Sequence, residues 1–347
     1  MSPTYRAMQI AKPGELELVE REFLVPHVDQ VLIEVEACGI CGADINDIDH
    51  PDVTLEQPRV PGHEVIGRII ARGTDVPMHW RLGQRVGVGR LGGQCNECAQ
   101  CRRGQFQLCQ SQHFVGSTCD GGYAELMLAR YTGLVAIPDE LTSEEAAPIL
   151  CAGLATFNAL KKSGAEAGDT VAILGIGGLG HMAVQYARKM GFRVVAIGRG
   201  EAISKDVRHL GAHFYLDSNN KDTIATLKSI GGVQALVTTI TNADEVSPYL
   251  NAIAPQGTMI VLGAGKSPLS VSTGNLVASE KEIKGSMTGS ACDSEKALNF
   301  SALFEVLPRV ETMPLYLANQ ALVKLRSGNV NFRIVLTMDK VTLRVRS

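Results

Sequence analysis

A chain of 347 residues that is 45% hydrophobic and holds 36 glycines is long enough for two domains, because single cores rarely grow past roughly 250–300 residues. A formal net charge of -3 and a pI near 6.3 give no sign of nucleic-acid or membrane binding. No apolar run approaches the roughly 20 residues that span a bilayer, and Met1–Ile10 lacks the apolar core of a targeting peptide, so we expect a cytoplasmic protein.

Short strands separated by glycine and proline turns are predicted up to about residue 135. The alternating stretches are Tyr5–Ile10, Leu16–Glu20, Gln30–Ala37, Val65–Ala71, Arg85–Gly89 and Gly121–Leu128. They predict a compact β-rich domain. Between them, Cys41, His63 and Glu64 stand on separate turns, as in a zinc site assembled from distant segments. By themselves they are weak evidence, because a lone histidine before a β-rich run is usually structural.

Four of the nine cysteines fall within fifteen residues, as Cys95, Cys98, Cys101 and Cys109. Each two-residue step lets two sulfurs face the same ion while backbone amides point at them. The alternatives are disulfides and unpaired buried thiols, but a chain of this length has no need of disulfide staples. The spacing therefore predicts a structural zinc. Four sulfurs leave no open position for a substrate, so the chemistry must lie elsewhere.

After residue 135 the sequence changes to α/β alternation. Thr142 caps a predicted helix, and helical spacing resumes over Thr156–Lys162. Later elements are the strand Thr170–Leu174, the helix His181–Met190 and the strands Arg193–Ile197, Phe214–Leu216, Ala235–Ile240, Thr258–Leu262 and Ile283–Ser286. They predict about six parallel strands in a dinucleotide-binding domain. The helix Ser294–Leu307 and a strand within Asn331–Met338 follow, and we expect this strand to return to the N-terminal domain.

A glycine-rich turn joins the first strand of this series to its helix. Gly175 allows the tight turn, Gly177 lets the backbone approach a pyrophosphate, and Gly180 lets helix and strand pack closely. The helix N-terminus offers free N–H groups to the phosphates. The predicted cofactor residues also include Gly178, Leu179, Thr239 and Gly263.

The second strand of this domain ends in Gly198-Arg199-Gly200, with Lys205 nearby. A carboxylate at this place would accept hydrogen bonds from the ribose 2′-hydroxyl of NAD(H), whereas a guanidinium can pair with a 2′-phosphate. The sequence therefore predicts NADP(H) over NAD(H), although Glu201 is close enough to complicate the choice.

With Cys41, His63-Glu64, the cysteine loop, Cys151 and G-x-G-G-x-G in this order, the chain resembles the zinc-dependent medium-chain alcohol dehydrogenases over essentially its whole length. It looks closest to their bacterial and fungal propanol-preferring type. The resemblance implies an α/β protein with a GroES-like β-rich catalytic domain, residues 1–149 and 293–347. A doubly wound Rossmann domain, residues 150–292, would lie between these segments.

The resemblance also implies roles for individual residues. Catalytic zinc ligands would be Cys41, His63 and Cys151, with Glu64 as an exchangeable carboxylate. Asp44 would orient His63, and Arg333 would lie near the cofactor pyrophosphate.

The subunit would then hold two zinc ions, one catalytic and one structural, and the catalytic zinc would polarise the oxygen of an alcohol or aldehyde substrate. A homodimer or homotetramer would form through the nucleotide domains, with edge strands near Val261 and Ile283 as candidates for pairing.

Three positions depart from the pattern that the resemblance implies. Ala43 stands where these enzymes usually have a hydroxyl that begins a proton relay, and Asn46 stands where some have the histidine that ends it. Arg90 replaces a tryptophan that lines an apolar substrate pocket; facing inward it would favour an anionic substrate, and facing outward it would mean nothing.

The leading interpretation is an NADPH-dependent zinc alcohol dehydrogenase that works chiefly as an aldehyde reductase. One alternative is a reductase of conjugated C=C or C=N bonds on the same scaffold. The other is a non-catalytic NADPH-binding zinc protein.

Overall fold

The computed structural model describes residues 3–52, 54–339 and 344–345, and the chain divides into two compact units. The first unit comprises residues 1–151, 289–303 and 307–347, and the second comprises residues 152–288 and 304–306. Within the described ranges, no helix has the length and apolar character needed to cross a membrane.

The N-terminal part of the chain is mostly β-structure and ends in helices. Its elements are β1 Pro3–Lys12, β2 Glu15–Glu22, β3 Gln30–Ile40, α1 Gly42–Asp49, β4 Glu64–Arg72, β5 Arg85–Val88, α2 Ala99–Arg102, β6 Leu126–Arg130, β7 Leu134–Ala136, α3 Ser143–Pro148, a π-helical turn Ile149–Gly153 and α4 Leu154–Lys162.

Strands and helices alternate in the middle part. Its elements are β8 Thr170–Leu174, α5 Gly180–Lys189, β9 Arg193–Gly198, α6 Ser204–His209, β10 Phe214–Asp217, α7 Thr223–Ser229, β11 Val233–Thr238, α8 Ala243–Val246, β12 Ile253–Val261, α9 Thr273–Ala278 and β13 Glu282–Gly285. The C-terminal part contains α10 Ala291–Phe304, β14 Val310–Pro314, α11 Ala318–Arg326, β15 Arg333–Thr337 and β16 Arg344–Val345.

A seven-stranded sheet forms the centre of the first unit, in the order β14-β15-β3-β4-β5-β7, with β6 also paired to β3. β3 lies in the middle, and most of its residues are buried, because it carries strands on both edges and packs into the main apolar core. β15 pairs with it antiparallel, from Ile334 opposite Ile40 to Thr337 opposite Ala37. The predicted return of the last strand to the N-terminal part is therefore confirmed.

The second unit is a six-stranded parallel sheet in the order β10-β9-β8-β11-β12-β13. The order reverses direction after β8, which is the doubly wound arrangement. The short apolar runs of the sequence become its central strands; Val171 to Leu174, for example, are completely buried. The predicted α/β class with six parallel strands is confirmed.

Two sequence predictions need correction, and two elements were missed. The strand placed at Gly121–Leu128 begins only at Leu126, because Gly121, Gly122 and Tyr123 donate backbone hydrogen bonds to the carbonyls of residues 60–62 instead of a neighbouring strand. The strand that contains Val261 is not an edge, since β12 lies between β11 and β13. The elements β14 and α11 were not predicted.

Candidate active site and zinc sites

The four-cysteine loop brings its sulfurs around one point. The Sγ atoms of Cys95, Cys98, Cys101 and Cys109 all lie within 4.8 Å of one another. Cys95 Sγ is 3.6 Å from that of Cys109 and 4.0 Å from that of Cys101. Two sulfurs bound to one tetrahedral zinc at about 2.3 Å lie about 3.8 Å apart, so the donor set fits this ion.

The loop backbone supports ionised sulfurs. Cys98 N–H donates to Cys95 Sγ at 3.4 Å, and Cys95 N–H donates to Cys109 Sγ at 3.3 Å. Backbone hydrogen bonds from Gln110 and Cys101 lower the pKa of the Cys98 thiol to about 6. Such N–H···S bonds favour the thiolate, the form in which cysteine binds metals. The turn also depends on Asn96, whose φ of 63° is a left-handed conformation that asparagine tolerates.

A second donor cluster joins three separate segments of the first unit. Cys41 precedes α1, His63 and Glu64 lie at the start of β4, and Cys151 lies in the π-helical turn; one ligand atom from each lies within 4.8 Å of the others. Cys41 Sγ and Cys151 Sγ are 3.7 Å apart, and His63 Nε2 is 3.3 Å from Cys151 Sγ. These spacings fit two sulfurs and one imidazole nitrogen around a single zinc.

Local structure aims Cys151 at this cluster. Pro148 ends α3, and the next five residues widen into a π-helical turn, a feature frequently found at functional sites. Of the four cluster residues, Cys41, His63 and Glu64 are buried, whereas Cys151 is partly exposed.

Asp44 organises the histidine and its surroundings. Its Oδ1 lies 2.6 Å from His63 Nδ1, and its Oδ2 accepts hydrogen bonds from Cys41 N–H at 2.8 Å and from the Tyr123 hydroxyl at 3.1 Å. An acceptor at Nδ1 selects the tautomer that keeps the proton there, which leaves the Nε2 lone pair for a metal. All of these contacts lie inside the protein, since Asp44 and His63 are completely buried.

Glu64 and Arg333 form a buried ion pair beside the cluster. An Nη of Arg333 donates to Glu64 Oε1, while Glu64 Oε2 and Arg333 Nε have no hydrogen-bond partner among the described residues. Burial raises the pKa of Glu64 to about 6, against the lowering effect of Arg333. Glu64 also contributes a carboxylate oxygen to the donor cluster, and its Oε2 is a buried acceptor without a hydrogen bond among the described residues. Arg333 thus fixes Glu64, and its predicted place near a cofactor pyrophosphate stays a prediction.

The glycine before His63 is required by close packing. Gly62 has φ 99°, and a Cβ at this position would approach the Tyr123 ring to 2.2 Å. The motif Gly62-His63-Glu64 and the loop around Tyr123 therefore fit only with glycine, and this packing brings the Tyr123 hydroxyl to Asp44.

Ala43 and Asn46 both lie on α1, which starts directly after Cys41 of the second donor cluster. Ala43 has no hydroxyl, so it cannot pass a proton. The backbone carbonyl of Asn46 lies 3.1 Å from His50 Nδ1.

Arg90 is neither free in a pocket nor turned to solvent. Its guanidinium pairs with the Asp47 carboxylate through two nitrogens, one of which is 3.2 Å from Asp47 Oδ1. It also donates to Val115 C=O at 3.2 Å and lies 5.9 Å from the centre of the Phe114 ring. An arginine that already holds a carboxylate offers no free charge to an anionic substrate.

In the second unit, the glycine-rich turn connects β8 to α5. Gly175 has φ 95°, and a Cβ on Gly180 would lie 2.0 Å from the Gly175 carbonyl oxygen, which shows how closely helix and turn pack. A Cβ on Gly177 would meet nothing within 4 Å, so the backbone is open to a ligand there. Gly178 and Leu179 complete the turn; Thr239 Oγ1 donates to Gly175 C=O at 3.0 Å, and Gly263 packs on Ile240 C=O.

At the end of β9, the backbone of Gly198 is buried and Arg199 is exposed, with an Nη 3.1 Å from Glu245 Oε2. The exposed Lys205 lies in α6. A carboxylate does stand near this strand end, but on β10. Asp217 Oδ1 accepts from Gly200 N–H at 2.8 Å and from Asn219 N–H at 2.9 Å, and these bonds lower the pKa of Asp217.

Sequence reasoning missed Tyr123, Asp47 and Asp217. Asp47 could have been found, because it lies three residues after Asp44 on the same helix and so shares its face. Tyr123 and Asp217 carry no such signal, since their contacts with Asp44 and Gly200 join distant parts of the chain.

A β-rich unit with two zinc-type donor clusters and a parallel-sheet unit with a dinucleotide turn define a zinc-binding dehydrogenase. Two family models match the chain: "Alcohol dehydrogenase GroES-like domain" over residues 27–139 and "Zinc-binding dehydrogenase" over residues 178–303.

Similar proteins match nearly the whole chain. Alcohol dehydrogenase notN of Aspergillus sp. (strain MF297-2) is 38% identical over 97% of this chain and 98% of its own. An alcohol dehydrogenase of Geobacillus stearothermophilus is 37% identical over 96% of this chain and 98% of its own. The NADP-dependent alcohol dehydrogenase C of Mycobacterium bovis is 32% identical over 96% of this chain and 98% of its own.

Among solved structures, acetophenone reductase from Geotrichum candidum in complex with NAD has a TM-score of 0.86 at 27% identity, covering 98% of both chains. The chain therefore belongs to the zinc-containing medium-chain alcohol dehydrogenases, as the sequence predicted. It is an oxidoreductase with two candidate zinc sites that uses a nicotinamide cofactor.

Proposed function

We propose that the chain is an NADP(H)-dependent zinc alcohol dehydrogenase that works chiefly as an aldehyde reductase. The observation that carries this proposal is the cluster of Cys41, His63 and Cys151, whose donor atoms stand at zinc-ligand spacing. Two thiolates and an imidazole are three of the four ligands of tetrahedral zinc, which leaves one position for a substrate oxygen. When bound, the zinc supplies the Lewis acidity that polarises a carbonyl or lowers the pKa of an alcohol.

The surrounding residues have supporting roles in this proposal. Asp44 keeps the His63 ring in one orientation and one tautomer. Arg333 holds Glu64 beside the ligands, where its second oxygen can exchange with substrate or water. Cys95, Cys98, Cys101 and Cys109 would hold a second, structural zinc.

The cofactor proposal rests on the second unit. The turn from Gly175 to Gly180 and the N-terminus of α5 suit a pyrophosphate. Arg199 and Lys205 are the cations proposed for a 2′-phosphate: Arg199 pairs with Glu245, but this pair is exposed to solvent and so exchanges at little cost, unlike the largely buried pair of Arg90 and Asp47. The nearby Asp217 carboxylate already accepts two backbone hydrogen bonds. Relatives do not decide the matter, because one is named NADP-dependent and one solved structure contains NAD.

A reductase of conjugated C=C or C=N bonds is the second candidate. Ala43 and Asn46 favour it, because neither side chain supplies the hydroxyl-to-histidine relay that delivers a proton to a zinc-bound oxygen. Efficient interconversion of simple alcohols and aldehydes would remove the motive for this alternative.

We further propose a homodimer or homotetramer, with β13 as the pairing edge, and catalytic and cofactor domains divided near residues 149/150 and 292/293. β13 is the outer strand of the parallel sheet as described and pairs only with β12 there. An unpaired strand edge can extend a sheet across a symmetry axis.

The test is steady-state reduction of benzaldehyde and a panel of small aldehydes, with NADPH compared with NADH, on protein of known zinc content. The proposal predicts clear turnover with a preference for NADPH. Absence of turnover on every aldehyde, with two zinc ions and NADPH bound, would refute it and favour the conjugated-bond alternative. Absence of turnover with one zinc bound would favour a non-catalytic protein.

A further inference from the structure

The ion pair between Arg90 and Asp47 lies next to the catalytic cluster. Asp47 is on α1, one turn after Asp44, and Arg90 follows β5. The backbone just before Arg90 touches the backbone just before Cys151, since a Cβ on Gly89 would lie 3.0 Å from the Leu150 carbonyl oxygen. Burial acts to lower the pKa of Arg90, but the hydrogen-bonded Asp47 carboxylate, with smaller contributions from Asp44 and Cys151, raises it overall.

The ion pair of Arg90 and Asp47 is held in place by several contacts and is shielded from solvent. The Asp47 side chain is 11% exposed and that of Arg90 is 21% exposed, so both charges are largely withdrawn from water. Each Nη of Arg90 bonds one carboxylate oxygen, and Val115 C=O and the Phe114 ring hold the guanidinium from other sides. Such two-point pairs are the stronger kind of ionic hydrogen bond, and their geometry is fixed.

Space adjoins the pair on the side of Asp47. A cavity of about 330 Å³ is lined by Asp47 together with polar groups that include His50, Asp52, Arg59 and Ser117. Asp52 and Arg59 carry opposite charges, and Arg59 in turn pairs with Asp120. Asp47 therefore both bonds Arg90 and lines this cavity, whereas Arg90 itself is not part of the cavity wall.

We propose that Asp47 sets the charge selectivity of this enzyme by occupying Arg90. This inference rests on the proposed aldehyde reductase function. The native pair presents a polar but electrically neutral wall, so the enzyme prefers uncharged polar aldehydes to aldehydes that carry a carboxylate. Arg90 is a latent anion site, and removing the Asp47 charge opens it.

The test compares two aldehydes of similar size, 4-(hydroxymethyl)benzaldehyde and 4-carboxybenzaldehyde, by the ratio of their kcat/KM values. The native enzyme favours the hydroxymethyl compound. Asp47→Asn raises the carboxylate to hydroxymethyl ratio by about tenfold or more, the scale of one charge-assisted hydrogen-bonded pair. The double variant Asp47→Asn with Arg90→Met loses this gain, because the gain requires the guanidinium.

A matched control lies on the same helix. Asp49 pairs with Arg326, and both side chains are more than a third exposed. Asp49→Asn removes one negative charge from α1 at a distance from Arg90, and it leaves the ratio at the native value. An equal rise in Asp49→Asn and Asp47→Asn would show a general effect of net charge and would overturn the proposal, as would an unchanged ratio in Asp47→Asn.

A binding measurement separates this inference from the proposed function. Calorimetry of the zinc-loaded enzyme with NADPH uses two unreactive amides, 4-carbamoylbenzoate and 4-(hydroxymethyl)benzamide. If neither aldehyde is reduced by any variant, the aldehyde reductase proposal fails. Even then, tighter binding of the carboxylate by Asp47→Asn alone supports the role of Asp47, and equal binding by native enzyme and variant overturns it.

Discussion

Glu64 and Arg333 form a buried ion pair, and we expect the effects of replacing each of them on the free energy of unfolding of the first unit to be strongly non-additive. Glu64 is 0% exposed and Arg333 is 4% exposed, and one oxygen and one nitrogen of the pair already lack partners in the described structure. Removing Glu64 leaves a buried guanidinium without compensation, and removing Arg333 leaves a buried carboxyl group that must either stay charged without a partner or take up a proton. Such losses cost about 3–5 kcal/mol, whereas removing both charges costs much less.

The variants are Glu64→Gln, Arg333→Met and the combination of the two. We expect each single change to lower the free energy of unfolding by about 3–5 kcal/mol, and the double variant to lose less than the sum by at least about 2 kcal/mol. Arginine remains charged when it is unpaired, so Glu64→Gln offers no escape by deprotonation. Lys12→Met is the control, since it breaks an exposed pair with Glu15 and should have no measurable effect.

The assay is urea unfolding of the zinc-loaded protein, followed by tryptophan fluorescence. Trp80 is the single tryptophan of the chain and is buried in the core of the first unit, so its emission reports that unit. The free energy of unfolding must fall with urea concentration by the same slope in every variant, because only then do differences in the unfolding midpoint report differences in stability. If the loss of stability in the double variant equals the sum of the two single losses, within about 0.5 kcal/mol, then Glu64 and Arg333 do not interact energetically and the prediction is refuted.

Three further predictions concern the proposed site. Cys98→Ser should lose one zinc and lower the melting temperature, whereas Cys151→Ser should lose the other zinc and turnover while remaining folded; equal unfolding of both, by circular dichroism, would contradict the division of roles. Asp44→Asn should weaken zinc binding at the catalytic cluster by about 10- to 100-fold in a chelator competition, and unchanged affinity would show that Asp44 does not support His63. Arg199→Ala should raise the KM for NADPH about tenfold or more and leave that for NADH unchanged; a parallel rise in both would remove Arg199 from 2′-phosphate recognition.

Local sequence pattern was sufficient for most elements of the fold. The strand Thr170–Leu174 was predicted with the bounds that the structure has, because a short apolar run followed by a glycine turn has few other solutions. Thr142 caps α3 as expected, and its side chain accepts from Glu145 N–H at 3.2 Å. Sheet order was less accessible. Whether β12 or β13 forms an edge depends on pairing between distant segments, which the pattern of one strand does not record.

The candidate site divides in the same way. Spacing alone indicated the four-cysteine cluster, since all four donors lie in one loop. The pairing of Arg333 with Glu64 and of Arg90 with Asp47 was not predicted, because these contacts span 269 and 43 residues of sequence. For Arg90 the sequence left two orientations open, and the structure shows a third arrangement, an ion pair within the protein.

Zinc content measured together with turnover tests the central claim most directly. Graded chelation of the purified enzyme, followed by metal analysis and NADPH-dependent reduction of benzaldehyde at each step, relates activity to the number of zinc ions bound. We predict two zinc ions per chain at full activity, loss of turnover with the first ion removed from the Cys41, His63 and Cys151 cluster, and recovery when zinc is restored. Two results together would contradict the account: turnover of the native enzyme that persists after zinc is removed, and a Cys151→Ser variant that retains both zinc ions and full activity.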